Sequence, residues 1–228
     1  MNIADNIKII NEDVRNTAIK CGRKPEEVKI IAVTKTVGFD ETIAAINCGI
    51  SDLGENRVQN LEEKFVNEEI SKLNPIWHLI GHLQTNKVGK ALKMASLIHS
   101  VDSIKLAAEI DREAKNMGIY ADVLIELNIS KEETKHGLGV EELEDFLGQA
   151  SEMSHIKVSG LMVMAPYTDD ENTIRKVFNS GYKIFVDKSK YRGHNINMQH
   201  LSMGMTNDYR IAIEEGATLL RIGTGIFH

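Results

Sequence analysis

The chain is poor in residues that separate or cross-link parts of a fold. Its 228 residues include only three prolines, Pro25, Pro75 and Pro166, and no proline-rich or low-complexity stretch. Such stretches are typical of linkers between domains. We therefore expect one domain over residues 1–228, which is long enough to bury a sizeable core.

Cysteine is equally scarce. Cys21 and Cys48 form neither a C-x-x-C pair nor a Cys/His spacing typical of zinc sites. The N-terminus shows no basic segment leading into an apolar core, so no secretory signal is predicted. Two isolated thiols in such a chain fit a reducing compartment, and we expect a cytoplasmic protein.

Long apolar runs and an excess of basic residues are also absent. No apolar run reaches the length of about 18 residues that suggests a transmembrane helix. The formal net charge of −6 argues against broad nucleic-acid binding, which needs a basic face. The sequence therefore predicts neither a membrane nor a nucleic acid as a partner, although a local cationic pocket is compatible with it.

The chain does contain a regular alternation of short apolar runs with amphipathic stretches. After an opening helix over residues 3–20, eight runs rich in β-branched residues occur, each but the last followed by a helical pattern. They lie at residues 28–34, 51–56, 76–81, 97–101, 122–129, 156–165, 198–202 and 218–222. This pattern predicts the α/β class and a single (β/α)₈ barrel of the TIM type with an extra N-terminal helix. The alternative is an open doubly wound sheet, which is disfavoured because no G-x-G-x-x-G follows the first strand.

The last two predicted strands both end in small and hydroxyl residues. Ser202, Met203 and Gly204 end one, with Thr206 as the predicted N-cap of the next helix, and Gly223 and Thr224 end the other. In barrels of this class the last two strand–helix loops commonly bind phosphate. The sequence therefore predicts an anion site here, with a pair of ordinary turns that bind nothing as the alternative.

Two cationic residues stand out within apolar runs. Lys35 ends the first run, so its amine is expected in the barrel mouth, where partial desolvation would favour the neutral nucleophile of a Schiff base. The alternative is a lysine that extends its amine into water. Arg221 lies within the eighth run and can only donate hydrogen bonds. It faces either a ligand, such as a pyridine nitrogen, or a core carboxylate, for which Glu55 and Glu126 are the candidates.

The histidines at the third strand do not match a metal motif. His78 and His82 are four residues apart, but Leu79 stands where the helical two-histidine zinc motif requires glutamate. We expect hydrogen-bonded histidines near the pocket and no metal.

The charged run of residues 131–136 is predicted to be a solvated loop, and the methionine-rich run of residues 161–165 is predicted to be core.

Five motifs, taken in order, resemble the pyridoxal 5′-phosphate (PLP) homeostasis proteins of the YggS/PROSC type. They occupy residues 31–36, 54–59, 77–87, 201–208 and 221–224. The resemblance implies a barrel like the N-terminal domain of alanine racemase, with PLP held as a Schiff base on a lysine. The residues that match the family's cofactor site are Lys35 for the aldehyde, Asn56 beside the ring, Ser202, Met203, Gly204, Gly223 and Thr224 around the phosphate, and Arg221 at the pyridine nitrogen.

The same resemblance implies a role in intracellular PLP and vitamin B6 homeostasis without established catalysis. Apo-enzymes that need PLP are the expected partners. Related racemases take their second acid–base group, a tyrosine, from an added β-domain and a dimer partner. A monomer is expected here, because this sequence shows no such dimer-forming domain. The alternatives are a PLP-dependent amino-acid racemase of low activity, a lysine-dependent aldolase for sugar phosphates, and an interaction module without a ligand. Gly225 and His228 depart from the family's usual ending, which leaves the packing of the last turn open.

Overall fold

The computed structural model describes residues 2–130, 136–191 and 193–228. The predicted loop at residues 131–135 therefore lies outside the described residues. The first helix, α1, spans Ile3–Lys20 and begins at Asn2, whose side chain accepts a hydrogen bond from the Asp5 amide. Its buried face includes Ile7, Ile10 and Val14, which agrees with the predicted helical spacing.

Eight parallel strands form a closed barrel in the order of the chain. The ring closes where Ala32 of the first strand pairs with Ile222 of the last, so the predicted TIM-type barrel is confirmed and the open sheet is wrong. The strands are β1 Lys29–Val33, β2 Asp52–Glu55, β3 Ile76–Leu79, β4 Leu97–Val101, β5 Ala121–Leu127, β6 Ile156–Val163, β7 Ile196–Ser202 and β8 Leu219–Ile222.

Helices lie between the strands and differ from the predicted pattern at three places. The apolar residues Val58, Leu61, Phe65 and Ile70 predict one helix, but two helices form. The Asn67 side chain accepts from the Glu69 and Ile70 amides and starts the second one. Only one α-helical turn forms in the stretch 86–95, and the last strand is followed by a short helix that was not predicted. The helices are α2 Phe39–Asn47, α3 Val58–Phe65, α4 Glu68–Lys72, α5 Val88–Ala91, α6 Ile104–Met117, α7 Leu143–Ser151, α8 Glu171–Lys188, α9 Tyr209–Glu214 and α10 Thr224–Phe227.

The barrel interior is divided into an apolar and a polar part. A small cluster of apolar side chains, Ile31, Leu97, Leu124, Met162 and Leu219, packs inside the ring, while the larger core lies between the strands and the helices. Side chains alternate along a strand, so His99, Glu126 and Arg221 follow Leu97, Leu124 and Leu219 on the same face. All three polar side chains are buried. The interior thus becomes polar toward the carboxyl ends of the strands.

No helix among the described residues is long and apolar enough to cross a membrane. The last turn, whose packing the sequence left open, contacts the opening helix: the Asn6 amide group donates to the Ile226 carbonyl oxygen at 3.0 Å, and Ile226 is fully buried.

Candidate functional site

The loops that follow β7 and β8 are joined and leave backbone donors unused. The Gly225 amide donates to the Thr206 hydroxyl at 3.1 Å, which ties one loop to the other. The amides of Gly204, Gly223 and Thr224 donate no hydrogen bond within the described part of the chain. Unpaired amides that share one rim suit an anion. We call these three residues the anion cradle.

The backbone of the cradle depends on glycine at position 204. Gly204 has a φ of 93°, and a Cβ atom there would lie 2.5 Å from the Cβ of Ala212. An L-residue would therefore be strained by its backbone and would also collide with α9. The chain can pass close to α9 here only because residue 204 has no side chain.

Two loop residues differ from their predicted roles. Thr206 is not the N-cap of α9, which begins at Tyr209 after Asp208, so its hydroxyl serves the contact between the loops instead. The Met203 amide donates to the Leu219 carbonyl oxygen at 3.1 Å and is not free for an anion, while the Met203 side chain is buried in the outer core.

Arg221 lies beneath the cradle as a buried cation. Its guanidinium donates to the Ser202 hydroxyl at 2.6 Å and to the Val163 carbonyl oxygen at 3.1 Å. Burial lowers the pKa of Arg221 to about 10, which still leaves it protonated at neutral pH. The alternative of a direct pair with Glu55 or Glu126 is wrong, because Arg221 forms no ion pair with any described residue. Two of its five donors are used, which leaves others for a ligand.

A line of buried polar side chains runs from Arg221 through the barrel. His99 Nδ1 lies 2.9 Å from the Ser202 hydroxyl, and His99 Nε2 lies 3.0 Å from His78 Nδ1. His78 Nε2 in turn lies 3.0 Å from Asp52, a buried carboxylate that also accepts from the exposed amine of Lys29. We call the series Arg221, Ser202, His99, His78 and Asp52 the buried chain.

The ends of the buried chain assign its protons. Arginine can only donate and an ionised carboxylate can only accept. With both imidazoles neutral, His78 donates from Nε2 to Asp52 and accepts from His99 at Nδ1, while His99 accepts from Ser202, whose oxygen accepts from Arg221. Burial is the largest cause that holds the pKa of His99 well below its ordinary value, which agrees with a neutral His99 ring.

The rim at Lys35 is held by a second buried network. The Lys64 amine donates to the Thr34 carbonyl oxygen at 2.5 Å and to Glu55 Oε1 at 2.6 Å, and the Thr34 hydroxyl donates to the same carboxylate oxygen at 2.6 Å. The other oxygen, Glu55 Oε2, is buried and has no hydrogen-bond partner among the residues that the structure describes. Lys35 follows Thr34 directly, so this network fixes the backbone from which its side chain leaves.

Lys35 itself lies in the turn after β1, and its side chain is exposed. The partial burial predicted from the sequence is therefore wrong for this structure. Strand β8 pairs with β1, and Gly223, which follows β8, packs against the end of β1. A Cβ on Gly223 would lie 3.2 Å from the Val33 carbonyl oxygen. The exits of β1 and β8 thus adjoin at one rim, and Lys35 and Thr224 leave from neighbouring strands.

Asn56, the remaining predicted residue, is half-buried at the exit of β2. A Cβ on Gly81 would lie 2.3 Å from the Asn56 carbonyl oxygen, so the exit of β3 packs directly against it. The site therefore combines unpaired amides, a buried cation, an exposed amine and a carboxamide at one end of the barrel. Such a set can hold an anionic ligand that also carries a group reactive toward amines.

Sequence reasoning missed three members of these networks. His99 and Asp52 lie inside predicted strands, at positions where alternation faces them into the barrel, and this could have marked them as interior polar residues. Lys64 lies three residues after Leu61 on the buried side of α3, where a charged residue needs a partner. Which groups each side chain meets depends on strands that are distant in sequence.

Comparisons with known proteins agree with this geometry. The family model described as alanine racemase, N-terminal domain, matches residues 6–228. A pyridoxal phosphate homeostasis protein of Aquifex aeolicus is 38% identical over 227 residues, which cover 100% of this chain and 98% of that protein. The structure of PipY from Synechococcus elongatus PCC7942 with PLP bound is 30% identical, with a TM-score of 0.87 over 100% of both chains. Alanine racemase from Streptomyces coelicolor A3(2) shares the fold, with a TM-score of 0.73 and 14% identity over 98% of this chain and 58% of that one.

Proposed function

The chain belongs to the alanine racemase N-terminal domain family and, within it, to the pyridoxal phosphate homeostasis proteins, and from this premise we propose that it binds PLP and regulates its supply. The observation that carries the proposal is the anion cradle. Free amides of Gly204, Gly223 and Thr224 stand beside the exit of β1, from which Lys35 leaves. An anion site next to an amine suits a phosphorylated aldehyde such as PLP.

The other residues at the rim fit the rest of that molecule. PLP supplies an aldehyde, which condenses with an amine to a Schiff base with loss of water. In the proposal Lys35 provides the amine, and its exposed position leaves the covalent link open to exchange with other amines. Asn56, at the neighbouring exit of β2, contacts the ring, and the cradle amides donate to the phosphate.

Arg221 decides between a carrier and a catalyst in this proposal. A guanidinium that faces the pyridine nitrogen keeps that nitrogen unprotonated, because it has no acceptor and stays charged. An unprotonated ring withdraws electrons poorly, and carbanion chemistry on it is slow. Ser202 and Val163 already hold two donors of Arg221, so the guanidinium is fixed in place. These contacts support storage and release of PLP over turnover.

The proposal is tested by the absorption spectrum of the purified protein after incubation with PLP. The wild type is expected to show the absorption of a PLP–lysine link, and reduction with borohydride is expected to leave a stable adduct on the peptide that contains Lys35. Lys35→Ala is expected to show neither. Lys72→Ala is the matched control, because Lys72 is an exposed lysine on α4 whose side chain is 73% accessible. Equal labelling of wild type and Lys35→Ala would contradict the role of Lys35.

The carrier role is tested separately from binding. Loaded protein is mixed with an apo-enzyme that needs PLP, and the activity that the apo-enzyme regains is followed over time. Transfer is expected, while the same loaded protein is expected to leave the enantiomers of alanine and serine unchanged on a chiral column. Sustained racemisation would favour the alternative of a weak racemase.

A further inference from the structure

Three side chains that the proposed function does not use converge on another part of the rim. His82 follows β3, Asp102 follows β4 directly, and His136 follows β5. One nitrogen of each histidine and one carboxylate oxygen of Asp102 lie within 4.8 Å of one another. Each of the three side chains therefore comes from a loop at the carboxyl end of a different strand.

The contacts within this group place nitrogen and oxygen donors together. His82 Nδ1 lies 3.1 Å from Asp102 Oδ2, and the rings of His82 and His136 are stacked, with centroids 4.4 Å apart and planes inclined by 17°. The second oxygen of Asp102 accepts from the Ser103 hydroxyl at 3.1 Å, which orients the carboxylate. A hydrogen bond of this kind to a ligating carboxylate is typical of metal sites.

A buried carboxylate, Glu126, interacts electrostatically with two members of this group. Glu126 is only 4% exposed, and its side chain makes no hydrogen bond within the described residues. Burial, and then the charge of Asp102, raise the pKa of Glu126 to about 7, while Arg221 and His136 act in the opposite direction.

We propose that His82, Asp102 and His136 bind a divalent transition-metal ion, with Glu126 as the neighbouring carboxylate that completes its charge balance. Two imidazoles with carboxylates form a donor set that suits zinc and similar ions. Donors of a tetrahedral zinc ion, each about 2.1 Å from the metal, are roughly 3.4 Å apart. The triangle of donors, whose members lie within 4.8 Å of one another, therefore has to contract by rotation of the stacked rings, and the exposure of His82 leaves room for that rotation.

The proposal concerns a place distinct from the anion cradle. The cradle lies at the exits of β7 and β8, and the three ligands lie at the exits of β3, β4 and β5. With three side-chain ligands, such an ion keeps a position open for water or for a small anionic molecule at the mouth. Metal binding is thus separable from PLP binding, and the two can be measured independently.

The test is calorimetric titration of chelator-treated, PLP-free protein with zinc chloride, supported by the visible spectrum after addition of cobalt(II). The wild type is expected to take up one ion, and the cobalt spectrum is expected to report nitrogen ligands. His82→Ala and Asp102→Asn are each expected to weaken binding by at least about tenfold. His155→Ala is the matched control, because His155 is another surface histidine, stacked on Tyr120 away from the mouth.

Two further variants complete the experiment. His136→Ala is expected to behave like His82→Ala, and Glu126→Gln is expected to weaken binding while leaving the cobalt spectrum that of a two-histidine site. Wild-type binding no tighter than that of His82→Ala, or an equal loss in His155→Ala, would overturn the proposal. Binding of magnesium or calcium in preference to zinc would overturn the assignment of histidine ligands.

Discussion

Replacement of Ser202 by alanine is expected to destabilise the protein by about 3 kcal/mol, although it removes a single oxygen atom. Ser202 is completely buried, and its hydroxyl accepts from Arg221 at 2.6 Å and contacts His99 at 2.9 Å. The substitution removes one oxygen atom and no carbon, so the cavity that it leaves is small. The lost stability therefore measures the hydrogen bonds of the buried chain.

The magnitude follows from the two groups that lose a partner. A hydrogen bond to a charged group contributes about 1.5–3 kcal/mol, and a buried polar atom left without a partner costs about 1–3 kcal/mol. The two terms overlap, since Arg221 and His99 can both shift toward the vacated space. A loss of about 3 kcal/mol is a large part of the 5–15 kcal/mol by which domains are typically stable. For a chain of this length it lowers the melting temperature by about 6–12 °C.

The assay is urea denaturation of PLP-free protein, because a ligand that binds only the folded state would add its own stability. Ser180→Ala is the matched control: its exposed hydroxyl donates to the Lys176 carbonyl oxygen at 2.8 Å on the outside of α8, and its loss is expected to stay within about 0.5 kcal/mol. If Ser202→Ala loses no more free energy of unfolding than Ser180→Ala, the proton assignment along the buried chain is wrong.

Three further changes test the networks around the rim. Lys64→Met leaves the buried Glu55 carboxylate without its cation and should cost about 3–5 kcal/mol, whereas Lys90→Met breaks an exposed pair and should cost less than about 1 kcal/mol, both measured by urea denaturation. Gly204→Ala forces a Cβ into α9. It should lose more free energy of PLP binding, measured by fluorescence titration, than free energy of unfolding of the PLP-free protein. A larger loss of unfolding free energy would contradict a role in the cradle. His99 has a depressed pKa, so the folded protein resists a proton that the unfolded chain takes up below about pH 6.5. His99 should then contribute a fall in stability of about 1.4 kcal/mol per pH unit below that value, and the slope should be smaller by this amount in His99→Leu, where His200, whose pKa is also lowered by burial, still contributes.

The fold was predictable because each strand carries its own signal. Parallel strands covered on both faces are continuous apolar runs, and β4 and α6 occur at the predicted residues. The break between α3 and α4 was missed because the hydrophobic period continues across it, while a single side chain, Asn67, starts the second helix. A helix boundary of this kind is determined by the hydrogen bonds of the N-cap side chain, and the hydrophobic pattern does not show it.

The candidate site was predictable only in part, for a different reason. Small residues at the ends of β7 and β8 mark the cradle, since free amides and close approach need glycine. The partners of Arg221 could not be predicted: Glu55 and Glu126, the two candidate carboxylates, form no hydrogen bond with it among the described residues. Glu55 is bound by Lys64, a residue nine positions along the chain on the next helix, and Ser202 comes from the neighbouring strand. Strand register determines these pairs, and one sequence does not specify it.

The distribution of charge inside the barrel connects these networks to ligand binding. Asp52 at one end of the buried chain and Arg221 at the other have opposite charges, and the three groups between them are neutral. The neutral groups do not cancel the charge of Arg221, and Asp208 and Glu126 act on it only through space, without an ion pair. An anionic ligand at the cradle would add a counter-charge in a site of low dielectric, where the attraction is strongest.

A carboxylate in place of Ser202, introduced as Ser202→Asp, would pair with Arg221 directly. This variant should bind PLP far more weakly than Ser202→Asn, which is of similar size but uncharged, in the same fluorescence titration. Equal affinities for the two variants would show that the charge of Arg221 does not act on the ligand.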